Sequence, residues 1–238
     1  MELEDAVAEM GPLLVPLAEL LKRDLRRPLL IGVILAVLQQ VTGINTIMYY
    51  GSIIFTEQGG AADTSAALWA NVLVGAMNLV FTIVALFTID RLGRKVLLIA
   101  AAGGMGVALT ALGGVLAAGR ATPASVLALV LCYVACFSFG MGPGVWVVIS
   151  ELFPTRVRGR AMSVATVALW LACLLITATF LSLAKALTAA GAFWLYALLC
   201  GATVWFVWKH TPETKGRNLE DIEQEWKKPA RPEPSPAN

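Results

Sequence analysis

One histidine, four scattered cysteines and no acidic residue near the centre of any long apolar run: these scarcities define the 238-residue chain. With a single His and no buried acid, neither a metal site nor acid–base catalysis has the groups it needs. Cys132, Cys136, Cys173 and Cys200 form no C-x-x-C pair and have no neighbouring His. They read as small packing residues. Charged residues are also sparse, at 14% of the chain, where soluble domains carry about 25%. A net charge of +2 is too small to argue for a nucleic-acid partner. No cofactor is called for, and an enzyme is excluded for want of a nucleophile–base or metal set.

What the chain has in excess is apolar residues, 58% of the total. That composition places it among membrane proteins. Six segments reach the roughly 20 apolar residues that a membrane helix needs: about 29–55, 66–88, 96–118, 124–149, 161–184 and 190–208. Their length excludes membrane β-strands, which need only about 9–11 residues. The expected fold is all-α and integral to the membrane, with six transmembrane helices. Residues 1–27 read as a cytoplasmic helical linker, 28–208 as the bundle, and 209–238 as a cytoplasmic tail. The Pro-rich end from Pro229 is expected to be disordered.

Basic residues set the orientation. Four precede span one: Lys22, Arg23, Arg26 and Arg27. Arg91, Arg94 and Lys95 follow span two, and Arg156, Arg158 and Arg160 follow span four. Six more lie beyond span six. Together these are 16 of the 18 Lys and Arg, all on alternate loops. Both termini are therefore expected in the cytoplasm of a multi-pass protein of the cell membrane.

Three stretches carry more than hydropathy. "LQQVTGINTIMYY", residues 38–50, puts five uncharged polar groups and Gly43 into an apolar span. A break at Gly43 is expected to let Gln40 and Asn45 converge, since an unbroken helix points them apart. "DRLGRK", residues 90–95, places Asp90 beside basic groups at a membrane rim, where charge-assisted hydrogen bonds gain strength as water is excluded. "GMGPGVWVVISELFPTRVRGR", residues 140–160, interrupts span four with Gly140, Gly142, Pro143 and Gly144. Pro143 cannot donate to the carbonyl four residues back, so the helix is expected to bend or open there.

With "PETKGRNLEDIE" at 212–223, these motifs in this order and spacing resemble the sugar porter family of the major facilitator superfamily. The resemblance runs from about Arg27 to Glu225. It implies the C-terminal six-helix half of a twelve-helix transporter, with an N-terminal half missing from this chain. The implied partners are a monosaccharide, the lipid bilayer, that other half (in the same chain or as a second copy), and protons if the mechanism is symport rather than uniport.

By the same resemblance the sugar is met by Gln39, Gln40, Asn45, Asn78, Phe137, Trp146 and Trp170. Tyr49 and Tyr50 form an outer gate. Asp90, Arg91, Arg94, Glu151 and Arg158 form a cytoplasmic charge network. The chemistry suits a sugar, because amides both donate and accept as hydroxyls do. Taken alone, Asn78 reads first as interhelical glue, worth about 0.6 kcal/mol, and Trp170 as a lipid-facing or packing residue. Thr42 and Thr46 are expected to bond back to their own helix. Three positions depart from the family pattern: Ser138 where an acid is common, Val145 in place of a second Pro, and Leu169 in place of an Asn. Two other readings are a non-transporting sugar sensor, which the short tail disfavours, and an inert half-transporter.

Overall fold

A computed structural model describes residues 20–21, 23–58 and 64–216. Most of the expected N-terminal linker helix and the tail from 217 onward, including the Pro-rich end, lie outside these residues. The described residues are almost entirely helical. Helices α1 (Arg23–Val41) and α2 (Ile44–Ile53) form the first span, and a wider π turn (Ile54–Gln58) ends it. Then come α3 (Thr64–Leu92), α4 (Arg94–Ala117), α5 (Pro123–Cys136), a π segment (Phe137–Met141), α6 (Gly142–Glu151) and α7 (Thr155–His210).

Among the described residues, five stretches are long and apolar enough to cross a membrane. The fifth is α7, and its 56 residues would reach about 84 Å if straight. A bilayer core is only about 30 Å thick. Thr188, at φ 66 and ψ 164, breaks it. The two arms fold back on each other: the Phe180 and Tyr196 rings stack with centroids 6.4 Å apart. Sixteen residues of straight helix would hold them about 24 Å apart. The Thr188 hydroxyl accepts the Gly191 amide at 3.3 Å, capping the start of the second arm. The sixth span therefore comes from a corner within one hydrogen-bonded run.

Two of the spans are broken, each for a local reason. Gly43 adopts φ 96 and ψ 13 between α1 and α2, a left-handed conformation that glycine takes without steric cost. A side chain has no room there either, because a Cβ would lie 2.8 Å from Tyr196 Cδ2. In the fourth span, Pro143 removes a helical N–H, and the turn before it widens. The Gly142 amide reaches back five residues to the Phe137 carbonyl, the π pattern. The opening expected from Pro143 is thus present as a π segment. At its start this span is fixed by a capping box, in which Thr122 Oγ1 accepts the Ser125 amide and Ser125 Oγ accepts the Thr122 amide.

The core gathers along α4 and α5 against the second arm of α7. Leu98, Met105, Leu109, Tyr133, Val134 and Phe193 are all fully buried there. By contrast α3 exposes a long apolar surface, including Leu73, Leu79 and Phe87, and so does the first arm of α7 at Val167, Leu171 and Leu174. Exposed apolar faces of this size belong against lipid or another helical body.

Gly43→Ala meets both a disfavoured φ and the Tyr196 ring. It is expected to destabilise the purified protein by about 1–3 kcal/mol, read as a lower thermal unfolding midpoint in detergent. An unchanged midpoint would contradict the break as described.

Candidate sugar-binding wall and basic rim

The α1–α2 break turns the polar groups of residues 39–46 toward one another. Asn45 Nδ2 donates to Gln40 Oε1 at 2.5 Å, and also reaches Cys173 Sγ on α7 at 3.1 Å. The expected convergence of Gln40 and Asn45 is therefore present. These bonds orient both amides. Gln40 keeps its NH2 group for a further partner, and Asn45 keeps its carbonyl oxygen.

Gln39 has a different position. Its Nε2 donates to the Met141 carbonyl at 2.7 Å and to the Gly142 carbonyl at 3.0 Å. Both amide protons are thus committed to the backbone at the opening of the fourth span. Only its oxygen remains to meet a ligand. Phe137 is buried at the same opening, and Trp146 is half-buried against the core.

The remaining sequence candidates are less closely grouped. Asn78 lies on α3, where its oxygen accepts from Thr82 Oγ1 at 3.4 Å; no described hydrogen bond links it to Gln40 or Asn45. Trp170 is 57% exposed on the first arm of α7, and Tyr49 is 56% exposed on α2. Tyr50 is half-buried: its hydroxyl donates to the Thr177 carbonyl at 3.2 Å, and its ring sits 5.3 Å from Phe180. Ser138 is fully buried, and its hydroxyl has no hydrogen-bond partner among the described residues. Thr42 bonds back to the Gln39 carbonyl at 2.8 Å as expected. Thr46 does not bond back. Its hydroxyl lies 3.5 Å from the Tyr196 hydroxyl, because the restart at Gly43 rotates it toward the second arm of α7.

At the other end, Arg94 Nη2 bridges Asp90 Oδ1 at 2.8 Å and Glu151 Oε1 at 2.9 Å. It ties the α3–α4 turn to the end of α6. The second Glu151 oxygen accepts from Thr214 Oγ1. Arg158 does not join this pair; its Nε donates to the Phe153 carbonyl at 3.3 Å. Arg91 contributes its carbonyl, which accepts from Lys215 Nζ at 2.6 Å.

Sequence reading missed Glu213. Its carboxylate accepts the first amides of α4, Arg94 at 3.0 Å and Lys95 at 3.2 Å. A carboxylate there satisfies orphan donors and complements the helix dipole. Gly93, at φ 90, leaves the carboxylate the room it needs. The clue available in sequence was an acid in "PETKG" paired with an α4 start that has no capping side chain of its own. Tyr133 was missed as well. Its hydroxyl donates to the Thr42 carbonyl at 3.0 Å, and nothing in the apolar run around it marks that role.

Comparison with known proteins identifies the family. The family profile described as "Sugar (and other) transporter" matches residues 3–226. The D-xylose-proton symporter of Escherichia coli (strain K12) is 38% identical over 204 residues, which is 83% of this chain and 41% of that protein. The facilitated trehalose transporter Tret1 of Drosophila grimshawi is 38% identical over 212 residues, 87% of this chain and 22% of that protein. A solved structure of the proton:xylose symporter XylE bound to 6-bromo-6-deoxy-D-glucose matches with TM-score 0.75 at 37% identity, covering 83% of this chain and 42% of that one. The chain spans less than half the length of each of these proteins. Its broken helices, apolar spans and basic rim are those of a multi-pass membrane protein with a major facilitator fold, and the chain belongs to the sugar transporter family.

Proposed function

We propose that this chain is the main sugar-contacting half of a transporter that moves a monosaccharide across the cell membrane by alternating access, with both termini in the cytoplasm. The observation that carries this reading is the joined Gln40–Asn45 pair at the Gly43 break. Broken helices near the midplane are where transporters of this architecture hold substrate. The pair offers an NH2 group and a carbonyl side by side, and Gln39 adds a second carbonyl. A vicinal diol, with each hydroxyl both donor and acceptor, matches that pattern. Phe137, Trp146 and Trp170 supply flat surfaces for the C–H face of a sugar ring, and Asn78 would extend the polar wall from α3. Tyr49 and Tyr50 stand on α2 beyond the pair, where a gate would close.

A wall needs an opposite wall. The relatives named for xylose and trehalose are at least twice as long as the matched region, which supports a second half as the missing partner. The exposed apolar faces of α3 and the first arm of α7 suit such a partner as well as lipid. The bacterial relative is named a proton symporter. Among the described spans of this chain, the acids Asp90 and Glu151 sit at the rim ends, so a coupling acid near the sugar would belong to the other half.

The rim acts as a latch in this reading. Arg94, Asp90 and Glu151, with Arg91 and Arg158 donating or accepting through nearby backbone, hold the cytoplasmic ends together in one state. Contacts made in only one of two states bias the equilibrium between them.

Gln40→Ala and Asn45→Ala, each in this chain joined to its other half, are expected to weaken sugar binding by at least roughly tenfold, equivalent to about 1.4 kcal/mol. Titration calorimetry with D-xylose and D-glucose reads this directly, and wild-type affinity for every sugar tested would sink the site. For the latch, Glu213→Ala is expected to speed amide hydrogen exchange at Arg94 and Lys95 by roughly tenfold, since both amides lose their acceptor. Unaltered exchange would remove Glu213 from the rim assembly.

A further inference from the structure

A second concavity lies away from the polar wall. It is an open trough of about 1290 Å³ between α4 and the second arm of α7. Gly103 and Val107 line it from α4, and Leu198 and Gly201 from α7. None of its lining residues belongs to the sugar wall or the rim network.

The two ends of the trough differ. Trp194 is the first α7 residue along it, and its indole N–H donates to the Thr110 carbonyl across the gap at 3.2 Å. The indole lies against Gly113, so it crosses α4 and closes that end. Trp205 is the last α7 residue along it. There the ammonium of Lys209 stands 5.1 Å above the Trp205 ring, and His210 meets the same ring edge-on at 5.5 Å. One end is therefore sealed by an indole, and the other opens onto a cation.

The length is informative. Trp194 to Trp205 spans about 16 Å of helix, close to half of the roughly 30 Å hydrocarbon core. A partner's transmembrane helix would need about twice that length, and the Trp194 indole, short of the Thr188 corner, bars its passage along the rest of the arm. The trough opens toward His210, where Lys209 sits at the level at which Trp and Lys mark the interface, and it runs inward from there until the Trp194 indole closes it.

We propose that this trough binds an acidic phospholipid of the leaflet on the basic side, with an acyl chain along Gly103, Val107, Leu198 and Gly201 and the phosphate against Lys209. The choice of an acidic lipid follows from charge. A zwitterionic headgroup carries its own cation beside the phosphate, which opposes Lys209, whereas a phosphatidylglycerol headgroup does not. The small residues at 103 and 201 leave a surface that a chain can lie in, since a Cβ at either position would meet nothing within 4 Å.

Native mass spectrometry of the full chain in detergent, titrated with equal dioleoyl-phosphatidylglycerol and dioleoyl-phosphatidylcholine, tests the proposal. The unaltered chain is expected to retain phosphatidylglycerol roughly five-fold over phosphatidylcholine. Lys209→Gln is expected to bring the two to parity. The double variant Gly103→Leu with Gly201→Leu is expected to lose retention of both lipids. A Cβ at either glycine meets nothing within 4 Å, and the unfolding midpoint, measured in parallel, is expected to stay unchanged. Equal retention by the unaltered chain, a preference that survives Lys209→Gln, or lipid retained as before by a folded double variant would each overturn the proposal. So would a second copy of the chain retained in place of lipid and lost in the double variant.

Discussion

Within a bilayer, a carbonyl released from its helix has no water to turn to, and must be met by protein or face a wet cavity. The fold depends on how this chain meets that constraint at two breaks at once. Gln39, just before the first break, donates to Met141 and Gly142 at the second. Tyr133, just before the second break, donates to Thr42 at the first. Each opening is therefore closed by a side chain from the other helix. Together these bonds lock the first span against the fourth. The Gln40–Asn45 pair sits beside this lock, so the wall proposed for the sugar rests on a rigid support.

The same reciprocity holds at the basic rim. The first amides of α4 are orphans by geometry, and Gly93 offers no side chain to cap them. Glu213, from beyond the last helix, fills the place. Lys215 and Thr214 then bond to Arg91 and Glu151. Three residues of the stretch after α7 thus bind three separate elements. Individual ion pairs at a partly exposed rim are worth about 1 kcal/mol or less. A small worth suits a latch that must open, whereas the buried reciprocal bonds between the breaks suit a support that must not.

Much of this was readable in the residues. Length and hydropathy announced helices, alternating basic loops announced topology, and Gly43 and Pro143 announced two interruptions. Gly43 was legible because glycine alone takes that φ without cost, and Pro143 because it lacks an N–H. The meeting of Gln40 and Asn45 followed from the first of these. Other placements were not legible. The reversal between the fifth and sixth spans was expected from their lengths, but its corner residue was not: no glycine or proline stands at Thr188 to mark it. Thr46 was expected to bond to its own helix, and it turns to Tyr196 because the break resets the helical phase.

The amino-acid sequence by itself determined what kind of molecule this is. Apolar length, charge placement and a backbone donor missing at Pro143 are local properties, and they act whatever the rest of the chain does. Only the tertiary structure decided which polar group each released carbonyl received, and therefore which groups stayed available. Gln39 and Gln40 are adjacent and chemically identical, yet one is spent on the Met141 and Gly142 backbone while the other keeps its NH2 group for a ligand. That division depends on the distance between the first and fourth spans, a quantity set by packing more than a hundred residues away along the chain.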